Sequence, residues 1–290
     1  MIPKNNKRWI LVWFLPMILI LLFFFLVPLL DAIRLSFTNT RIGIAASKIT
    51  FNSYIRVLQD PDLLDILSNT LWFVSITVSL QLVIGLLVGL LLETNLKGMG
   101  LLKLAMITAW IVPGVIAGIV WNLMFSTAST GVINNTLQLF GIGKIPFLTN
   151  VKWALFAVIV VNVWKGTGFS GIMQYSALRA IDPQLYEAAA IDGAGPMRKF
   201  FQITLPMLKP TLLINLVLIT ISTVNTYDAI WSLTQGGPGN STTVLSLQTY
   251  KTTFLNMNIG QGSVYAVMMI ISSVLFTSIY LKFLGDKANA

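Results

Sequence analysis

Long apolar segments alternate with short polar intervals along the chain. Each apolar segment has about 20 residues or more, which is the length that a helix needs to cross a hydrocarbon core of about 30 Å. The ten-residue alternating pattern of membrane barrel strands is absent, and backbone groups in lipid must find partners within their own segment. The pattern therefore predicts an all-α polytopic membrane protein with six transmembrane helices. They cover residues 9–30, 69–92, 101–125, 152–176, 207–233 and 262–284.

The composition also indicates a protein that lies largely in lipid. Mean hydropathy is +0.80, 56% of residues are hydrophobic and 10% are charged, whereas a soluble domain of this size carries far more charge. No composition shift or low-complexity tract marks a second domain, so we expect a single transmembrane domain over residues 1–290. The net charge of +9 comes from basic residues scattered among apolar runs, which favours membrane orientation over nucleic acid as its explanation.

The basic residues predict which side of the membrane each loop faces. With the N-terminus in the cytoplasm, the inner side holds 11 Lys and Arg residues and the outer side holds 7, as the positive-inside rule favours. Both termini and the loop at about 180–206 are then cytoplasmic, although the first outer loop fits the rule poorly. Lys4, Lys7 and Arg8 precede the first apolar run as in a signal peptide. That run is uncharged and lacks a small-residue cleavage pattern, so we interpret it as a retained span.

Several kinds of chemistry are excluded by missing residues. Cysteine and histidine are absent, which excludes disulfides, thiolate chemistry, histidine metal ligands and imidazole-based triads. The glycine-rich phosphate loop with its lysine is also absent. A membrane-embedded hydrolase would therefore have no obvious group to carry its chemistry. We expect no enzymatic activity, cofactor or metal in this chain, and any ATP that drives it is hydrolysed by a partner.

Glycine and proline inside the predicted spans indicate close packing and a bend. Gly85 with Gly89, and Gly114 with Gly118, are spaced by four residues, which lets helix backbones approach each other. Packing within the chain is the more common use of such pairs, and a dimer contact is the alternative. Pro113 removes a helical hydrogen bond and predicts a bend in the third span.

The polar interval before the fifth span predicts a helix, a tight turn and a second helix. Asp182-Pro183 is a typical N-cap followed by a first helical position, so a short helix is expected over residues 184–191. Gly193 ends it, and a second helix over residues 196–204 is expected to stop where Leu205-Pro206 breaks the chain. From the alanines alone, an ordinary amphipathic helix on the membrane surface is also a reasonable interpretation.

The same interval matches a known signature at every defined position. Glu187-Ala188-Ala189, then Gly193, then Ile203-Thr204-Leu205-Pro206 fit the pattern EAA-x(3)-G-x(9)-I-x-L-P. The interval, here named the EAA segment (residues 180–206), resembles the EAA loop of ABC importer permeases. The resemblance implies the type I ABC importer permease fold and a coupling helix that sits in a cleft of a cytoplasmic ATPase subunit. The residues that it assigns to this coupling are Tyr186, Glu187, Ala188, Ala189, Gly193, Leu205 and Pro206.

A second resemblance narrows the class of solute. Thr234-Gln235-Gly236-Gly237-Pro238, followed by Ser241-Thr242, is by itself only a turn. It is similar to the T-x-GGP-x-x-ST region of the carbohydrate-uptake subfamily, of the maltose/glycerol-3-phosphate type, and the chain resembles its first permease subunit. This implies a pore subunit that moves a sugar, oligosaccharide or glycerol-phosphate-like solute inward.

The resemblance also implies the partners and the location of the chain. They are a second homologous permease, two cytoplasmic ATPase subunits that use ATP and Mg, an extracytoplasmic solute-binding protein, and the lipid of a bacterial cytoplasmic membrane. An ion-coupled secondary transporter is the alternative function. It would need membrane-buried carboxylates, for which Asp228 is the only candidate.

Positions relative to the matched motifs imply a substrate cavity. The sugar-facing places fall at Trp110, Gly114, Gly166, Phe169, Thr223 and Thr226. Aromatic faces beside hydroxyl groups suit sugars, and helix packing is the alternative role for each of these residues. Lys165 and Asp228 are ionisable residues inside or at the edge of spans, where we expect a salt bridge, an interfacial position or a subunit contact.

Overall fold

The computed structural model of the protein describes residues 7–44, 48–94 and 96–285. Within these ranges the regular structure is helical, apart from an isolated bridge between Arg41 and Ile44. The α-helices are α1 Lys7–Leu21, α2 Val27–Ser36, α3 Asn52–Leu58, α4 Leu63–Glu93, α5 Met99–Ile111, α6 Gly114–Phe125, α7 Val132–Leu139, α8 Val151–Leu178, α9 Pro183–Ile191, α10 Pro196–Lys199, α11 Leu205–Val224, α12 Asp228–Thr234, α13 Leu245–Tyr250 and α14 Ile259–Tyr280. Wider π turns occupy Leu22–Leu26, Phe200–Thr204, Lys251–Leu255 and Leu281–Gly285.

Most of the predicted spans appear as long apolar helices. The stretches that are long and apolar enough to cross a membrane are Trp13–Ser36, Leu63–Glu93, Val151–Leu178, Pro196–Val224 and Ile259–Tyr280. α5 and α6 qualify together as one more span, but they are bent by 107° at Val112 and Pro113. The all-helical membrane fold and the bend at Pro113 are therefore confirmed. The side of the membrane on which the termini lie stays a prediction, and Lys4 falls outside the described residues.

The helix of the fifth span ends earlier than predicted. α11 ends at Val224, not near residue 233, and α12 begins a new direction at Asp228. In a continuing helix, the carbonyl of Thr226 would accept a bond from the next turn. Here it accepts a hydrogen bond from the hydroxyl of Ser246 (2.6 Å). Ser246, 20 positions further along the chain, thus takes the place of the helical amide donor. The local sequence around Thr226 does not reveal this contact.

The predicted break at Leu205-Pro206 is wrong. The helical path runs from Pro196 to Val224 without interruption over 29 residues. The π turn before the proline explains this, because the amide of Leu205 bonds the carbonyl of Phe200, five residues back. Such local widening lets a membrane helix accept a proline without losing its path.

The described chain packs as two units, and the single transmembrane domain expected from the sequence stays a prediction. Among the described residues, one unit comprises 7–60 with 249–268, and the other comprises 61–248 with 269–285. In the first unit, the hydroxyl of Ser53 donates to the carbonyl of Thr38 (2.6 Å). The buried Tyr265 donates to the carboxylate of Asp60 (2.8 Å). The first bond attaches the loop after α2 to α3, and the second attaches α14 to the residues that follow α3.

α8 is the central helix of the second unit, and glycines bring its neighbours close. A Cβ at Gly85 of α4 would overlap the hydroxyl of Ser170 on α8. A Cβ at Gly114 or Gly118 of α6 would overlap side chains of α12. Both pairs of glycines therefore pack within the chain, as predicted. Gly168 of α8 meets α5 in the same way, since its Cβ would overlap the carbonyl oxygen of Met106.

Gly168→Ala is expected to destabilise the protein, although alanine is the better helix former. The added Cβ would force α5 away from α8, and overpacking of this kind costs about 1–3 kcal/mol. The midpoint of thermal unfolding of the protein in detergent measures the effect. Gly100→Ala is the matched control, because Gly100 also lies in a helix and no atom lies within 4 Å of its Cβ position. Equal midpoints for the two variants would contradict the close contact.

Candidate functional site

A cavity of about 350 Å³ lies among α4, α5, α8, α11 and α12. Four of the six predicted substrate residues line it: Trp110, Gly166, Phe169 and Thr226. The rings of Trp110 and Phe169 lie 5.4 Å apart, centroid to centroid, and are tilted by 40°. Gly166 lets the side chain of Gln81 lie directly against α8, because a Cβ there would overlap the side-chain amide of Gln81. The cavity thus has one aromatic wall.

Other groups that line the cavity are polar and are held by hydrogen bonds. The amide of Gln81 donates to the backbone carbonyl of Asn162 (2.9 Å). The amide of Asn162 donates to the hydroxyl of Thr226 (3.3 Å), which in turn donates to the carbonyl of Ser222 (3.0 Å). These bonds join α4, α8 and the end of α11, and they fix the orientation of groups that suit the hydroxyls of a sugar.

Two predicted substrate residues lie outside the cavity lining. Thr223 is a buried residue of α11, with 1% of its surface exposed. Gly114 begins α6, where a Cβ would overlap the carboxylate of Asp228. Both residues pack against other parts of the chain, and their role in solute binding stays a prediction.

Sequence reasoning missed Gln81, Asn162 and Ser222 as lining residues, and it gave Lys165 no place there. A signal was present, since Asn162, Lys165, Gly166 and Phe169 have the spacing of one helix face.

A larger groove of about 740 Å³ lies along α4, α5 and α8, but it is a poor sugar site. Its walls are almost wholly apolar and include the exposed Trp72 and the exposed Phe156. A sugar there would leave its hydroxyl groups without partners, which is costly in an apolar environment. Its chemistry suits lipid chains.

The EAA segment contains the predicted short helix and a defined turn. The carboxylate of Asp182 accepts a bond from the amide of Gln184 (2.9 Å) and caps α9. After α9, the amide of Ala194 donates to the carbonyl of Ala189 (2.8 Å), and the amide of Gly193 donates to the carbonyl of Ala190 (3.1 Å). This pair of bonds is the Schellman motif, which needs a left-handed residue at the position of Gly193, where φ is +76°. The glycine of the signature is thus explained by backbone geometry.

The two faces of α9 differ in their surroundings. Tyr186 packs on the buried cluster of Leu178, Ile181 and Leu208, and its hydroxyl shares a hydrogen bond with that of Thr204 (2.9 Å). Other residues of the helix point outward. Exposed side chains are Leu185, Glu187, Ala188 and Ile191. Tyr186 therefore attaches α9 to the membrane helices, and the opposite face is exposed.

A buried polar cluster lies between the cavity and the EAA segment. The hydroxyl of Ser170, next to Phe169 in α8, accepts bonds from the amides of Gln174 (2.9 Å) and Asn215 (2.8 Å). Gln174 also donates to the carbonyl of Leu82 (3.1 Å). α4, α8 and α11 are thereby joined at one level of the bundle.

The end of α8 beside the EAA segment carries two cations around one ring. The guanidinium of Arg179 donates to the hydroxyl of Tyr175 (3.3 Å), and this bond raises the pKa of Arg179 above its ordinary value. The ammonium of Lys103 lies 5.0 Å from the centroid of the same ring, a cation–π distance. Two positive charges thus lie beside Tyr175, at the C-terminal end of α8.

Gly193→Ala is expected to loosen the turn after α9. A non-glycine residue in the left-handed region costs about 1–2 kcal/mol, and the space around the Cβ position is open, so strain of the backbone is the only change. Hydrogen exchange of amides 193 and 194 should accelerate by about 5–30-fold. Gly195→Ala is the control, because Gly195 has φ −71° and equally open surroundings. The same acceleration in both variants would contradict the assignment.

The chain is similar to known transport proteins over nearly all its length. It is 34% identical over 270 residues, 92% of this chain and 90% of the relative, to the trehalose/maltose transport system permease protein MalF of Thermococcus litoralis. It is 27% identical to the sn-glycerol-3-phosphate transport system permease protein UgpA of Escherichia coli, covering 99% of this chain and 98% of the relative. The fold matches a chain in the crystal structure of a bacterial ABC transporter involved in the import of the acidic polysaccharide alginate. The TM-score is 0.80, with 24% identity and 98% of each chain covered.

The family relationship covers most of the chain. Residues 81–284 match the family described as binding-protein-dependent transport system inner membrane component. These residues include the whole cavity lining and the EAA segment. None of these relationships supports the alternative of an ion-coupled secondary transporter. The chain belongs to this family, and it is a multi-pass permease component of an ABC importer in the cytoplasmic membrane.

Proposed function

We propose that this chain and a second homologous permease form the pore of an ATP-driven importer of a sugar, oligosaccharide or glycerol-phosphate-like solute. Two ATPase subunits hydrolyse ATP with Mg in the cytoplasm, and an extracytoplasmic solute-binding protein delivers the solute. Relatives whose names refer to trehalose/maltose and to sn-glycerol 3-phosphate support this solute class. In this arrangement both termini and the EAA segment face the cytoplasm.

The observation that carries this proposal is the unbroken helix from the EAA segment to the cavity. Pro196 opens the helix directly after the Schellman turn, and Ser222 lies in the cavity wall near its other end. The 29 residues span about 43 Å at 1.5 Å per residue. A helix of this kind does not shorten under load, so a displacement of α9 reaches the cavity wall.

The outward face of α9 is suited to a cleft in an ATPase. Glu187 and Ala188 are exposed, and the small alanines allow a close approach. Ile191 is 88% exposed and offers an apolar contact at the end of the helix. We assign Glu187, Ala188 and Ala189 to the ATPase contact.

The other coupling residues act on the membrane side of α9. Gly193 serves the turn, and Tyr186 transmits motion because it packs on the membrane helices. Leu205 and Pro206 lie within the continuous helix that carries this motion. The segment thus has a side that receives force and a side that passes it on.

The cavity supplies the binding step. Its aromatic and amide groups bind solute while the pore is open to the outside, and ATP binding by the partners favours that state. Hydrolysis returns the pore to an inward-open state and releases the solute. Chemistry on the solute is not required.

Ile191→Asp is expected to reduce solute-stimulated ATP hydrolysis of the assembled transporter by about tenfold or more. In the proposed contact with the ATPase, a charge in place of this apolar side chain loses apolar burial and leaves a desolvated carboxylate. The assay uses proteoliposomes that contain the complete complex and the solute-binding protein. Leu139→Asp on α7 is the control, because Leu139 is 86% exposed and lies outside the EAA segment.

Observations of two kinds, on ATP hydrolysis and on the purified complex, would contradict the proposed function. One is equal ATP hydrolysis by the Ile191 and Leu139 variants at equal assembly yield. The other is a purified complex that contains no ATPase subunit, or that accumulates neither labelled sugars nor sn-glycerol 3-phosphate in the presence of ATP.

A further inference from the structure

Lys165 lies near the middle of a transmembrane helix. In α8, 14 residues precede it and 13 follow it, so it is about 20 Å from either end of the helix. The hydrocarbon core is about 30 Å thick, which places Lys165 close to its centre if α8 crosses symmetrically. The four-carbon stem of lysine is far too short to carry the ammonium to either surface.

The charge of Lys165 is not compensated within the described chain. The side chain is partly buried, and no hydrogen bond or ion pair to another described residue involves it. The carboxylate of Asp228, the other ionisable group in this region, accepts a bond from the amide of Ala229 (2.8 Å) and does not pair with Lys165. An unpaired ammonium in a membrane span is costly unless it faces a wet cavity or a ligand.

The cavity gives Lys165 a specific set of neighbours. It lines the space with the rings of Trp110 and Phe169 and with the amides of Gln81 and Asn162. Aromatic faces suit the C–H faces of a sugar, and amides suit its hydroxyl groups. The remaining group, a cation with three donors and no acceptor, suits an anion. The cavity volume lies within the range of small-molecule sites.

We propose that Lys165 binds the acidic group of the transported solute, which is a saccharide or polyol carrying a carboxylate, sulfonate or phosphate. This inference rests on the proposed function and restricts its solute class. Lys165 acts by charge and hydrogen bonding to the solute while the solute occupies the cavity. A neutral sugar would leave the ammonium without a counter-ion.

The test uses the complete transporter with its solute-binding protein in proteoliposomes that contain ATP. Uptake is measured for matched pairs of neutral and acidic solutes: glycerol with sn-glycerol 3-phosphate, galactobiose with digalacturonate, and glucose with glucose 6-sulfonate. The pairs distinguish phosphate, carboxylate and sulfonate as the source of the anion. Lys165→Met and Lys165→Gln remove the charge, Lys165→Arg keeps it, and Lys152→Met removes a lysine from the start of the same helix.

The expected result is ATP-dependent uptake of at least one acidic solute in preference to its neutral partner. Lys165→Met and Lys165→Gln should lower this uptake by about tenfold or more, which is the loss expected for a charge-assisted bond. Lys165→Arg should retain most of the uptake, and Lys152→Met should behave as the unsubstituted protein. Assembly yield, measured on the same samples, should change little, and uptake is expressed per assembled complex.

Three results would overturn the inference. One is uptake of neutral solutes in preference to acidic ones. Another is uptake of acidic solutes by Lys165→Met and Lys165→Gln at the rate of the unsubstituted protein. Both would leave the proposed function intact. The third is failure of the complex to assemble with Lys165→Met and with Lys165→Gln but not with Lys165→Arg, which would assign the charge to a subunit contact. Absence of uptake for all pairs in an ATP-hydrolysing complex would instead contradict the proposed function itself.

Discussion

The close approach of α4 and α5 to α8 is the constraint on which the second unit depends. Gly85 and Gly168 stand at these crossings, where a single added carbon atom would overlap the neighbouring helix. In lipid, helix association gains little from the hydrophobic effect and relies on packing and interhelical hydrogen bonds. The short distances bring Gln81 within hydrogen-bonding reach of the backbone of α8 (2.9 Å). Without them, the cavity would have neither its shape nor its polar wall.

The same packing connects the cavity with the EAA segment. The bonds of Ser170 with Gln174 and Asn215 join the helices just beyond the cavity, in a part of the bundle where all three side chains are buried. At the far end, Tyr186 holds α9 on the buried cluster around Leu208. Between these two points the helix that begins at Pro196 provides a continuous backbone. Force applied to α9 thus has a stiff route to the residues that line the cavity.

Features that depend on local chemistry could be predicted from the sequence, and those that depend on distant partners could not. Apolar length predicts the spans, the missing amide of Pro113 predicts the bend, and the cap at Asp182 predicts α9. The end of α11 could not be predicted, because it depends on the hydroxyl of Ser246. The position of Gln81 in the cavity could not be predicted either, because it depends on how closely α4 packs against α8.

The central claim is that the helix from Pro196 to Val224 moves as one body. Because the chain has no cysteine, spin labels can be attached to cysteines introduced at the exposed positions of Phe201 and Ile221. The distance between the two labels in the assembled transporter is measured by pulsed electron–electron double resonance, without nucleotide and with ATP. We predict a narrow distribution near 30 Å in both states, from 20 residues at 1.5 Å each. A shift or broadening between the states would mean that the helix bends and absorbs the motion, which would contradict the account.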